Sequence, residues 1–222
     1  MRLTNGRLKV EDACGKIHAL LTRLPIYHSP NEVGFKNGLY FFYEDGERDK
    51  HGLREGRIVR VGNHPRAQNG LIQRLSNHYS GNKNGSVFRR LLGGALIRRT
   101  SPRSPCLAPC PGKGHWERQN STACANCNKL EAEVSAYIRR HCHFRCVAII
   151  NRQQRNRFEA LLIATIAQCS RCTPSKSWRG WRAYPQEVRS ASLWNVQHVG
   201  DQAITLNDLR VFAKLVHRSV KK

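Results

Sequence analysis

Gly38-Leu39-Tyr40-Phe41-Phe42-Tyr43 and Ile58-Val59-Arg60-Val61-Gly62 are two apolar, strand-like runs in the first third of the chain. Aromatic and β-branched residues dominate them, which suits a pleated, half-buried surface. They read as strands over about 38–44 and 57–62. Asp45-Gly46 and the charged stretch through Lys50 then form the long polar connection of a hairpin.

Working outward, Ala13, Ile17, Leu20, Leu21 and Leu24 recur at helical spacing, and Pro25 and Pro30 end that helix. Leu71, Ile72 and Leu75 drive a helix through about His78. Val87, Phe88, Leu91 and Leu92 suggest another that stops before Gly93-Gly94. Residues 100–128 are rich in proline and cysteine and poor in aliphatics, and read as an insertion loop. Leu130 to His141 is a helix, and Phe144 to Ile150 a third strand. Arg155 to about Gln168 is the most apolar helix. A last amphipathic one runs from about Leu206 to Val216, with Thr205 or Asn207 as its N-cap. The fold class is therefore α/β: a small, mostly antiparallel three-stranded sheet flanked by helices, with a Cys-rich loop insertion. The expected division is an N-terminal helical extension over 1–35 and one domain over 36–222 that carries the insertion at 100–128.

The chain has 38 Lys and Arg against 15 Asp and Glu, a net charge of +23 that favours polyanions, nucleic acid first among them. The basic residues run from Arg2 to Lys222, which fits a folded basic face better than a disordered arm. Arg60, Arg66, Lys83, Arg89 and Arg90 are the expected nucleic-acid contacts. No stretch approaches the ~18–20 apolar residues of a membrane span. The polar start, Met1 to Val10, lacks the apolar core of a secretory signal, so a cytoplasmic location is expected. The nine cysteines then read as thiols or metal ligands before disulfides.

Arg74 and His78 lie four apart and share a helix face. Glu159 sits among Phe158, Ala160, Leu161, Leu162 and Ile163, where a carboxylate is costly unless paired or metal-bound. The alternatives for it are an exposed outer face or an ion pair with Arg155.

With Gly38-Leu39-Tyr40 on the first strand, Arg60-Val61-Gly62 on the second, Arg74 and His78 on the next helix and Glu159 after the third strand, the chain resembles the GIY-YIG nuclease superfamily. The resemblance runs from about residue 36 to 170, and more weakly to Leu193-Trp194-Asn195. It implies a divalent-metal-dependent endonuclease hydrolysing phosphodiester bonds in DNA. Tyr40 would activate a water, Arg74 hold the scissile phosphate, His78 position the water or shuttle a proton, and Glu159 bind Mg²⁺ or Mn²⁺. Asn195 would match the late active-site asparagine. One position departs from the family: the second word usually begins with Tyr, and here it begins with Arg60. The alternative is therefore a non-cleaving nucleic-acid-binding protein on the same fold.

Cys106-x3-Cys110 and Cys124-x2-Cys127 are two thiol pairs flanking a polar loop, a spacing that can complete a tetrahedral structural Zn²⁺ site or leave free thiols. Cys169-x2-Cys172 and Cys142-x3-Cys146 are further pairs.

Overall fold

The apolar run at 38–43 is continuous because its strand is central and covered on both sides. In the computed structural model, which describes residues 8–53, 56–66, 68–100, 116–118 and 125–220, the sheet order is β2-β1-β3, with β1 Gly38–Arg48, β2 Gly56–Gly62 and β3 Cys142–Ala148, both pairings antiparallel. Alternation along β1 sends its side chains into two cores. Tyr40 and Phe42 face α2 (Leu71–Tyr79), α3 (Val87–Thr100) and α4 (Ala125–His141). Leu39, Phe41 and Tyr43 face α1 (Val10–Leu21), α5 (Arg152–Ala167) and α7 (Leu206–Val220). A short α6 (Gln186–Ala191) lies in the stretch before α7. Asn151 caps α5 through a 2.8 Å bond from the Gln154 amide, and Thr205 caps α7 by accepting from the Asp208 amide.

The expected fold is present, and several boundaries move: α4 begins at Ala125, inside the stretch read as the insertion loop, α5 begins at Arg152, and α7 runs on to Val220. β1 runs on to Arg48, beyond the Asp45-Gly46 pair that reads as the start of a turn. It can do so because its buried carboxylates are satisfied. Glu44 accepts from the Tyr137 hydroxyl and the Trp194 indole, and Glu47 accepts from Arg57 and Ser175. Helix α3 continues through Gly93-Gly94, where a Cβ would lie 2.4 Å from Trp116 and 2.6 Å from Glu117. Those glycines mark close packing, and they do not end the helix. Strand β3 begins at Cys142 and closes at Ala148, two residues early at each end.

Strand β2 is held by a bulge on its inner side and by a distant segment on its outer edge. Tyr40 pairs with Gly62 and Phe42 with Arg60, but Tyr43 pairs with Ile58. The register shift is a bulge that leaves Val59 and Arg60 together on the Tyr40 side. The outer edge of β2 is covered by a segment far along the chain: the Trp194 amide donates to the Val59 carbonyl at 2.7 Å. Helix α1 is packed into the second core through Cys14, Ile17 and Leu21. Among the described residues no helix is long and apolar enough to cross a membrane.

Candidate active site

Tyr40 stands mid-strand opposite Gly62. A Cβ on Gly62 would lie 2.3 Å from the Tyr40 hydroxyl oxygen and 2.4 Å from Cζ, so the ring occupies the space a side chain would fill. Lying there, the phenol reaches His78 on α2, with Oη 2.8 Å from Nε2. The other ring nitrogen, Nδ1, is 2.7 Å from Ser86 Oγ. Ser86 precedes α3 and accepts from the Arg89 amide at 3.1 Å. All three side chains of this Tyr40–His78–Ser86 chain are buried. Phe42 and Phe88 pack edge-on against the imidazole. Burial, reinforced by the charges of Arg74, Arg60 and Arg89, holds the His78 pKa well below its ordinary value, so the ring is neutral.

The bulge aims Arg60 into the same region. Its guanidinium lies 5.5 Å from the centre of the Phe88 ring, and Nη1 donates to the Trp194 carbonyl. Tyr40, Arg74 and Glu159 are all within its electrostatic reach. Arg74 donates from Nη1 to the Gly85 carbonyl at 2.9 Å. The Nε atoms of Arg60 and Arg74 are both buried with no hydrogen-bond partner. Unpaired buried donors are costly and rare, and a pair of them beside a phenol asks for an anion.

Glu159 enters from α5. Its Oε1 accepts from the Asn63 amide at 3.0 Å and its Oε2 from the Asn63 side chain at 2.7 Å. Arg155 is not its partner, because that guanidinium donates to the carbonyls of Ile149, Ile150 and Arg66. Burial raises the Glu159 pKa, opposed by Arg60, the Asn63 amide, His198 and Arg74. A half-buried carboxylate held by one asparagine, each oxygen keeping a free lone pair, is a donor set that fits a hard divalent cation completing its shell with water and phosphate.

Tyr40, Arg74, His78 and Glu159 are thus brought together, with Arg60 among them. Asn195 takes a different place. Its Oδ1 accepts from the Val61 amide at 3.1 Å and its Nδ2 donates to the Val61 carbonyl at 2.8 Å. Both ends of the amide pair with the outer edge of β2, as a neighbouring strand would.

The expected nucleic-acid contacts divide. Arg66 is exposed and Arg90 half-buried. Lys83 and Arg89 are corrected to interior residues, 2% and 0% exposed. Arg89 joins the His78 carbonyl to Glu131, and Lys83 donates to the Arg118 carbonyl. Arg60, 6% exposed, faces the site and not the open surface. Cys106, Cys110 and Cys124 lie outside the described residues, and Cys127 is buried in the Tyr40-side core.

The profile of the GIY-YIG domain matches residues 27–222. The chain belongs to the GIY-YIG family. No curated protein and no solved structure matches it. GIY-YIG proteins are typically endonucleases acting on nucleic acid, and members of the family usually use divalent metals.

In this GIY-YIG chain three neighbours of the site are not singled out by sequence. Asn63 directly follows the Arg60-Val61-Gly62 word, so its position next to a motif is the available signal. Ser86 carries the signal of a helix N-cap before α3. His198 has none: a left-handed backbone (φ 65°) and a 2.7 Å bond to Asp201 hold it within electrostatic reach of Glu159.

Proposed function

We propose that the protein is a divalent-metal-dependent endonuclease that hydrolyses phosphodiester bonds in DNA. The observation that carries the reading is the pair of unpartnered, buried guanidinium donors, Arg60 Nε and Arg74 Nε, set beside the Tyr40–His78–Ser86 chain. A phosphoryl group is the anion whose oxygens both guanidinium groups can serve as charge develops on it.

Ser86 Oγ already accepts from the Arg89 amide. With the His78 proton on Nδ1 and directed to Ser86, Nε2 is left bare to accept from the Tyr40 hydroxyl. Burial beside three guanidinium groups keeps the ring neutral, so His78 orients the phenol and the proton stays on Tyr40. The lone pairs of the Tyr40 oxygen then position the attacking water. Glu159, oriented by Asn63, would hold Mg²⁺ or Mn²⁺, which supplies charge neutralisation at the phosphate and a more acidic water. Asn195 fixes the edge of β2 and so holds Arg60 in place. Arg60 takes over phosphate charge from the position the family gives to a second tyrosine.

The test is cleavage of plasmid and branched DNA with Mg²⁺ or Mn²⁺, with Tyr40→Phe and Glu159→Ala alongside. Metal-dependent nicking that both variants lose supports the reading. Salt-sensitive binding without cleavage by the wild type, across metals and substrates, refutes it in favour of a non-cleaving binder in which Arg60 has displaced the chemistry.

A further inference from the structure

On the opposite side of the sheet from Tyr40, four soft donors from three separate segments meet. Cys14 comes from α1, His51 from the β1–β2 connection, and Cys169 precedes and Cys172 closes the 3₁₀ turn Ser170–Cys172. One ligand atom from each lies within 4.8 Å of all the others. Cys14 Sγ and Cys172 Sγ are 3.4 Å apart, and His51 Nε2 is 3.6 Å from Cys169 Sγ and 3.8 Å from Cys172 Sγ. A zinc ion with Zn–S about 2.3 Å and Zn–N about 2.0 Å has tetrahedral edges of about 3.8 Å between sulfurs and about 3.5 Å between sulfur and nitrogen. The four atoms therefore already outline the polyhedron.

We propose that Cys14, His51, Cys169 and Cys172 form a closed structural zinc site. The surroundings are built for it. His18 is buried beside the cluster with Nε2 3.5 Å from Cys172 Sγ, placed to donate to a thiolate. The Arg57 guanidinium lies in electrostatic reach of Cys172 and offsets the negative charge of three thiolates around one dication. The three segments are also tied to one another: the Lys50 amide donates to the Arg171 carbonyl at 3.0 Å, and Ser170 Oγ donates to Glu11 at 3.0 Å. Three thiolates and an imidazole select zinc over the hard cations suited to Glu159, so the two metals do not compete for one place. With four protein ligands there is no open position for substrate, and the ion's role is to fasten α1 and the β1–β2 connection to the end of α5.

The purified full chain is assayed for zinc per chain, as wild type and as Cys14→Ser, Cys169→Ser and Cys172→Ser, with Cys146→Ser as a buried cysteine outside the cluster. Each cluster variant is expected to lose one equivalent relative to wild type and Cys146→Ser to lose none. Because a variant can lose metal by failing to fold, the wild type and His51→Cys are also refolded with Co²⁺. A shift of the cobalt absorption toward that of an all-thiolate site places His51 in the coordination shell. Equal zinc in all variants, zinc-free wild type with all thiols titrating, or identical cobalt spectra for wild type and His51→Cys would each overturn the site.

Discussion

Replacing Gly62 by Ala tests whether the motif glycine exists to seat the Tyr40 ring. The added Cβ would lie 2.3, 2.4 and 2.8 Å from Tyr40 Oη, Cζ and Cε2. Ordinary contact requires about 1 Å more, so ring or strand must shift by about that amount. A displacement of about 1 Å along the 2.8 Å Tyr40–His78 contact leaves it either overlapping or too long to be a hydrogen bond. Overpacking of this kind costs about 1–3 kcal/mol. A broken bond inside a buried chain adds about 1–3 kcal/mol for the group left unpaired. The expected loss is therefore about 2–6 kcal/mol, read by urea unfolding under circular dichroism. Tyr40→Leu deletes the three clashing atoms and retains apolar bulk near the backbone. In that background Gly62→Ala should cost under about 0.5 kcal/mol, giving a coupling of at least about 1.5 kcal/mol in the double-mutant cycle. Equal costs in both backgrounds would show that Gly62 serves the strand itself and that the Tyr40 contact is incidental.

Asn195→Ala removes bonds of 3.1 and 2.8 Å to Val61 and should cost about 2 kcal/mol, with faster amide exchange at Val61 as its local signature. Unchanged exchange there would remove Asn195 from the β2 edge. Burial and the nearby charge of Arg155 push the His64 pKa from 6.5 down to about 4. A group depressed on folding binds its proton more readily when unfolded, so the wild type should lose up to ~3 kcal/mol relative to His64→Leu between pH 6.5 and 4 and be level with it above. Parallel stability profiles would refute the shift. Arg66→Ala should reduce the salt dependence of DNA binding by a slope of about 1. Arg89→Met should leave that slope alone and cost about 2–3 kcal/mol, because Glu131 Oε2 and the His78 carbonyl both lose their donor. The reverse pattern would return Arg89 to the binding face.

The sheet and its helices are legible because periodicity is written locally: a continuous run for the covered strand and 3.6-residue spacing for α1, α2 and α7. Tyr40, Arg74, His78 and Glu159 are legible as an ordered set on named elements. What fails depends on partners far along the chain. Asp45-Gly46 looks like a turn until Glu44 and Glu47 are seen to find Tyr137, Trp194, Arg57 and Ser175. Gly93-Gly94 looks like a stop until Trp116 and Glu117 are placed against it. Arg89 and Lys83 are basic in sequence, and only the packing of α3 on α4 and the distant Arg118 carbonyl turn them inward. Cys14 and His51 come to the cluster from two elements with no spacing rule between them, so Cys169-x2-Cys172 looks like half a site.

The strand that bears Arg60 and Gly62 is held on one side by its hairpin partner and on the other by Trp194 and Asn195, 134 residues downstream of the atoms they bond. During synthesis, then, the hairpin can form early, but β2 keeps an open edge until Trp194 and Asn195 have left the ribosome. Long-range closures of this kind are slow, because a large loop must be ordered before the contact rewards it. The nascent chain should therefore pass through a stage in which the sheet exists and Arg60 is unanchored. A strongly basic protein emerging beside ribosomal RNA would in that way fix Arg60 only after Trp194 and Asn195 have emerged.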